Sequence, residues 1–161
     1  MSDDFQGLVA KLWASLGLPA PVFRTKNRIV LNIDRIAVEL AESPDGGHMI
    51  LTARAGRLSA EDPMRRAEQV QYILYSNLGS LTSHHACVSV DPKGAESPTV
   101  LVQGICSYET AGVAELTSVV QDVVALAEAH AAELTGERSR ATGRTPASNQ
   151  QGLGDTVIFR P

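Results

Sequence analysis

Arg28-Ile29-Val30-Leu31-Asn32-Ile33-Asp34-Arg35-Ile36-Ala37-Val38-Glu39-Leu40 is the stretch from which the rest of the chain can be read. Ile29, Leu31 and Ile33 alternate with Val30 and Asn32, and Ile36, Val38 and Leu40 alternate with Ala37 and Glu39. A period of two puts each set on one face of an extended chain. The Asn32-Ile33-Asp34-Arg35 corner turns the first strand into the second, so the segment predicts a hairpin with one apolar face. Pro44-Asp45-Gly46-Gly47 is a second turn, and Met49-Ile50-Leu51-Thr52-Ala53 a third strand.

Working outward, the period changes from two to 3.6 on either side. Phe5, Leu8, Val9, Leu12 and Leu16 have helical spacing, with Ser2 placed to cap the helix and Asp3 and Asp4 in its first turn. Gly17 and Pro19-Ala20-Pro21 stop that helix, because proline offers no N–H and disfavours helix in the residue before it. Downstream, Ser59 is expected to cap a second helix whose first turn carries Glu61, Asp62 and Pro63. At about 100° per residue, Ala67, Val70, Ile73, Leu74, Leu78 and Leu81 of this helix share one sector, and Met64, Tyr72 and Tyr75 widen it beyond half the circumference. One sheet needs a narrower stripe, so the surplus predicts a second buried surface, most simply a partner subunit. Deeper burial of the helix end is the alternative.

Two more strands follow, 86–90 and 100–106, joined through Asp91-Pro92-Lys93-Gly94. A last helix carries Val113, Leu116, Val120, Val123, Ala127 and Leu134, with Gly136 placed to cap it. The fold class is therefore α+β: helix, three strands, helix, two strands, helix. Residues 1–135 read as one domain, and 136–161, rich in Arg, Ser, Thr, Gly, Asn and Gln, as a flexible polar tail.

Composition narrows the function. The chain has 161 residues, 43% of them hydrophobic and 20% charged, which suits one globular domain with a real core. Net charge is −6 over residues 1–135 and +2 over 136–161, and an acidic body argues against phosphate backbones as partners. No apolar run approaches the roughly 18 residues of a membrane span, and Ser2-Asp3-Asp4 stands where a signal peptide would be basic. A cytoplasmic location is expected. Cys87 and Cys106 lie in apolar, strand-like runs and read as reduced core residues. A symmetric hairpin sets Cys87 near Val102 and away from Cys106, against a disulfide.

Chemistry has little to stand on. His84 and His85 point to opposite faces of an extended chain, with no Cys or acid at ligand spacing. Gly46-Gly47 and Gly152-x-Gly154 lack the strand-then-helix setting of a phosphate loop, and no Gly-x-Ser-x-Gly elbow is present. Asp34, Glu39 and Glu42 read as solvated turn and strand residues. Catalytic residues, metal ligands and cofactors are therefore expected to be none. Surface is what remains: Trp13 is either a partly buried core aromatic or an exposed anchor, and 22–25 with 29–33, at the start of the sheet, can offer an unpaired edge to a guest chain.

The helix ending in Leu16-Gly17-Leu18, the strand and corner from Arg28 to Asp34, and the hydrophobic helix from Met64 to Leu81 resemble the class I chaperones of bacterial type III secretion, the CesT and SycE-like group. The resemblance covers most of residues 3–135. It implies an antiparallel twisted sheet packed by helices, and a homodimer that binds the N-terminal segments of secreted effector proteins and keeps them extended and secretion-competent, with no ATP and no catalysis. It places effector binding on the first helix and first strands, here Leu8, Leu12, Trp13, Leu16, Val30, Leu31, Val38 and Leu40. It places the dimer interface on the second helix, here Val70, Ile73, Leu74 and Leu78. Members dedicated to one effector and members serving several share this pattern, and some contact an export ATPase. The competing expectation is a dimeric, non-catalytic adaptor of the same fold outside secretion, which would bind a folded partner. Thr156-Val157-Ile158-Phe159 departs from the pattern: this apolar stub either occupies the guest groove until an effector displaces it or is a disordered end.

Overall fold

The structure is a computed structural model that describes residues 4–23, 25–80, 85–93, 96–108 and 112–136. Its elements run α1 (Phe5–Ser15), β1 (Arg28–Ile33), β2 (Ile36–Glu42), β3 (His48–Arg57), α2 (Pro63–Ser80), β4 (Ala86–Asp91), β5 (Thr99–Ser107) and α3 (Val113–Thr135). The expected order of helices and strands is the observed one. The five strands form one antiparallel sheet in the order β1-β2-β3-β5-β4.

The hairpin closes with Ile33 opposite Ile36, so its loop is only Asp34-Arg35. Asp34 takes a left-handed conformation at φ 51, which aspartate tolerates better than bulkier residues. Alternation then puts Ile29 and Leu31 of β1, Val38 and Leu40 of β2, Met49, Leu51 and Ala53 of β3, and Val100, Val102 and Cys106 of β5 on one buried face. α1 and α3 supply Leu8, Val9, Leu12, Leu116, Val119 and Val123 to the same core. Gly104 permits the close approach of α3: a Cβ there would lie 2.6 Å from Val119 Cγ1. Gly136 ends α3 in the left-handed conformation at φ 75, as its position in the sequence predicts.

Several boundaries move for local reasons. α1 is capped by Asp4, whose Oδ1 accepts from the Gly7 N–H at 2.8 Å; the expected cap, Ser2, lies outside the described residues. α2 is capped by Asp62 rather than Ser59, with Oδ1 accepting from Met64 N at 2.9 Å and Arg65 N at 3.0 Å. Ser59 sits one step back, accepting from Asp62 N at 3.3 Å. β3 extends to Arg57, beyond the expected 49–53, through a register shift between Arg54 and Gly56.

Cys87 lies near Val102 and away from Cys106 as expected, but its reading as a core residue is corrected: it pairs with Gln103, one step from Val102, and neighbouring positions on a strand turn to opposite faces of the sheet. Cys87 is exposed while Cys106 is buried, so the two thiols lie on opposite faces. Burial, with the Glu115 carboxylate adding to it, pushes the Cys106 thiol up to about 11.

Candidate protein-binding surfaces

The two edges of the sheet are treated differently. Along β4 runs α2, and its Asn77 amide donates to the Val88 carbonyl and accepts from the Val88 N–H, both at 2.7 Å. One side chain thus satisfies the outward groups of Val88 as a neighbouring strand would.

β1 carries no such cover among the described residues. The Glu42 N–H donates to Asn27 C=O at 2.9 Å, which fixes the phase of the antiparallel ladder. Ile29, Leu31 and Ile33 exchange bonds with β2, and Arg28, Val30 and Asn32 turn N–H and C=O outward. At the Arg28 end the edge meets Thr25, bridged to Arg28. Beyond it, Val30 and Asn32 line a cleft of about 460 Å³ with Val22, Thr25, Arg28 and Ile29. Val30 is 47% exposed, and Arg28 stands beside Glu39 at 3.5 Å. Leu16 and Leu18, on the chain leading from α1 towards this edge, are also exposed.

Of the residues assigned to effector binding, Leu8, Leu12, Trp13, Leu31, Val38 and Leu40 are buried, and only Leu16 and Val30 present open apolar surface. The burial has one cause: α1 and α3 share the inner face of the sheet, so the apolar phase of β1 and β2 faces helix rather than solvent. Trp13 is a core residue for the same reason. The available surface is in the opposite phase, at Val30, and on the edge backbone.

α2 is turned the other way. Gln69, Ile73 and Ser80 are its buried residues. Gln69 Oε1 accepts from Ser59 N at 2.8 Å, and Ser76 Oγ lies 3.0 Å from Nε2 of the buried His130. The apolar stripe faces out: Val70 and Tyr75 are exposed, with Leu74 at 64% and Leu78 at 68%. Val70 and Leu74 line a shallow depression of about 490 Å³ with Ala60, Pro63, Arg66, Ala67 and Gln71. Ile73, assigned to the dimer interface with Val70, Leu74 and Leu78, belongs instead to the core. Arg66 fixes the start of the helix, Nε donating to Ser59 C=O at 2.6 Å.

The remaining candidates for chemistry change little. His84 lies outside the described residues. His85 does meet an acid that sequence spacing did not reveal, its N–H donating to Asp122 Oδ2 of α3 at 2.9 Å. Among the described residues no three His, Cys, Asp or Glu side chains are grouped to hold a metal ion, and no helix is long and apolar enough to cross a membrane.

The described residues thus form an antiparallel sheet backed by α1 and α3, with α2 along the β4 edge and the β1 edge uncovered. Residues 7–130 match the model of the Tir chaperone protein (CesT) family, and the chain belongs to that family. A search of curated proteins finds no match. Among solved structures, it is similar to a chain of the HopA1–SchA chaperone–effector complex at 16% identity and TM-score 0.60, covering 77% of this chain and 90% of that one. It is also similar to a chain in the structure of the Yersinia pestis type III secretion chaperone SycH with a stable fragment of YscM2, at 21% identity and TM-score 0.58, over 76% and 95% of the two chains. A third likeness is to a chain of the ExoT–SpcS complex from Pseudomonas aeruginosa, at 18% identity and TM-score 0.54, over 80% and 98%. At these identities the likeness is one of fold.

Proposed function

We propose that this protein is a type III secretion chaperone that binds the N-terminal segments of secreted effectors in the bacterial cytoplasm. It keeps them extended and delivers them to the export apparatus. The observation that carries the reading is the open β1 edge in a chain of the Tir chaperone family. An extended client adds a strand there, pairing with the outward groups of Val30 and Asn32 and laying apolar side chains against Val22, Val30 and Leu16.

Magnitudes fit such a grip. Each main-chain hydrogen bond contributes about 0.5–1.5 kcal/mol net, and each apolar side chain fully buried about 1.5–3 kcal/mol. Several of each offset the cost of ordering a flexible segment. None of this asks for catalysis or ATP. A client held this way stays narrow, and its covered segment cannot aggregate.

The working unit is a homodimer in which the outward stripe of α2, Val70, Leu74 and Leu78 with Tyr75, meets its copy. The chaperone domain is residues 1–135, and 136–161 are a polar C-terminal tail that follows it.

The test is to capture partners on the tagged full-length chain in a secretion-competent lysate of the source organism and map what is protected from proteolysis. Secreted proteins protected over an N-terminal segment of about 50–100 residues, the reach needed to wrap a domain of this size, are expected, with capture weakened by Val30→Asp. Capture of folded cytosolic proteins instead would replace this reading by an adaptor role.

A further inference from the structure

We propose that Thr156-Val157-Ile158-Phe159 of this same chain docks as an added strand on the outward edge of β1, so that the surface offered to a client is held by the protein's own tail until the client displaces it.

Three observations carry this. The first is chemical fit. Thr156 to Phe159 is the one run of four strand-forming residues after Gly136, and it matches the short stretch of β1 left open between the Thr25 bridge and the hairpin corner. A strand-forming segment suits a sheet edge, with its row of unpaired donors and acceptors, better than the outward face of α2.

The second is reach. Leu134 packs on Gly56, since a Cβ added there would lie 2.9 Å from Leu134 Cδ1. Gly56 is three residues beyond Ala53, which pairs with Val38. α3 therefore ends near the end of the sheet where β1 turns into β2, two strand spacings from β1, or about 10 Å laterally. A random chain as long as residues 137–155 has a root-mean-square span of roughly 25 Å, which is enough to bring the stub to either end of β1.

The third is charge. Residues 1–135 are net −6, and the linker, with Arg138, Arg140 and Arg144 against Glu137 and Asp155, is net +1, which favours its return to the body. At the stub itself, Asp155 precedes and Arg160 follows Thr156-Val157-Ile158-Phe159, while β1 begins with Arg28 and is followed by Asp34. A parallel alignment with Asp155 beside Arg28 sets Arg160 beside Ile33, one step short of Asp34, so each end of the stub meets opposite charge nearby.

The docking stands without any client; only its regulatory consequence rests on the proposed client role of β1. The test is amide hydrogen exchange at Val30 and Asn32 in the full-length chain, without a client, against the same chain carrying Val157→Asp and Ile158→Asp. Docking predicts slow exchange at both amides in the parent and at least tenfold faster exchange in the variant, with the central β3–β5 amides unchanged. Equal exchange in the two chains overturns the proposal. So does protection at Val30 and Asn32 that grows with protein concentration in both chains, which assigns the edge to a second copy. Failure of the lysate capture, with protection still lost in the variant, would remove the chaperone reading and leave the docking in place.

Discussion

α3 and α2 are both amphipathic helices, and they use their apolar faces in opposite ways. α3 turns Leu116, Val119, Val120, Val123, Leu126 and Ala127 into the core. α2 turns Gln69, Ile73 and Ser80 inward and leaves Val70, Leu74 and Leu78 outside. The first helix is held by burial and shape, close enough to the sheet to require Gly104. The second is held largely by directed hydrogen bonds, through Gln69, Ser76 and Asn77. An apolar stripe thus says that a helix has something to cover it, without saying that the cover is its own domain.

The largest effect should separate the two stripes. Val123→Asp places a carboxylate at a position with no solvent exposure, a cost of several kcal/mol for an unpaired buried charge. Far-UV circular dichroism should show loss of the cooperative fold at every protein concentration. Leu74→Asp changes a residue that is 64% exposed, so the monomer should keep its fold, its stability within about 0.5 kcal/mol of the parent monomer. Its effect belongs in sedimentation: the parent should associate as concentration rises and the variant remain monomeric. Unfolding of Leu74→Asp at every concentration would show that the outer stripe serves the body and would erase the contrast.

The same distinction explains what the sequence could and could not convey. Periodicity alone located all eight elements, because alternation in Ile29–Leu40 and helical spacing in Val113–Leu134 are local. Gly136 could be read as a cap, since few residues other than glycine end a helix in the left-handed conformation. Which face each period turns inward is set by tertiary placement. Val30 and Leu31 are neighbours of similar character, yet one is open and the other buried because α1 and α3 lie on the same side of the sheet. Ile73 and Leu74 part in the same way on α2. Cys87 was misplaced by a single step of register, a choice that turn residues alone do not fix. Asn77 gave no local signal at all: its role depends on Val88, eleven residues away on a different element.

That pairing offers the smallest and most specific way to sharpen the contrast. If α2 is attached to the sheet by imitation of a strand, Asn77→Ala leaves the Val88 N–H and C=O without their partner, at a cost of about 1–3 kcal/mol. Association adds to apparent stability, so the comparison is best made in the Leu74→Asp chain, with and without the second substitution. Urea denaturation should show a lower midpoint at an unchanged slope, because the surface exposed on unfolding is the same. Amide exchange should quicken at Val88 while the β3–β5 centre, where α3 presses on Gly104, stays protected. An unchanged midpoint with unchanged exchange at Val88 would mean that α2 is held by Ile73 and its neighbours. The two helices would then differ in the direction of their stripes but not in what attaches them.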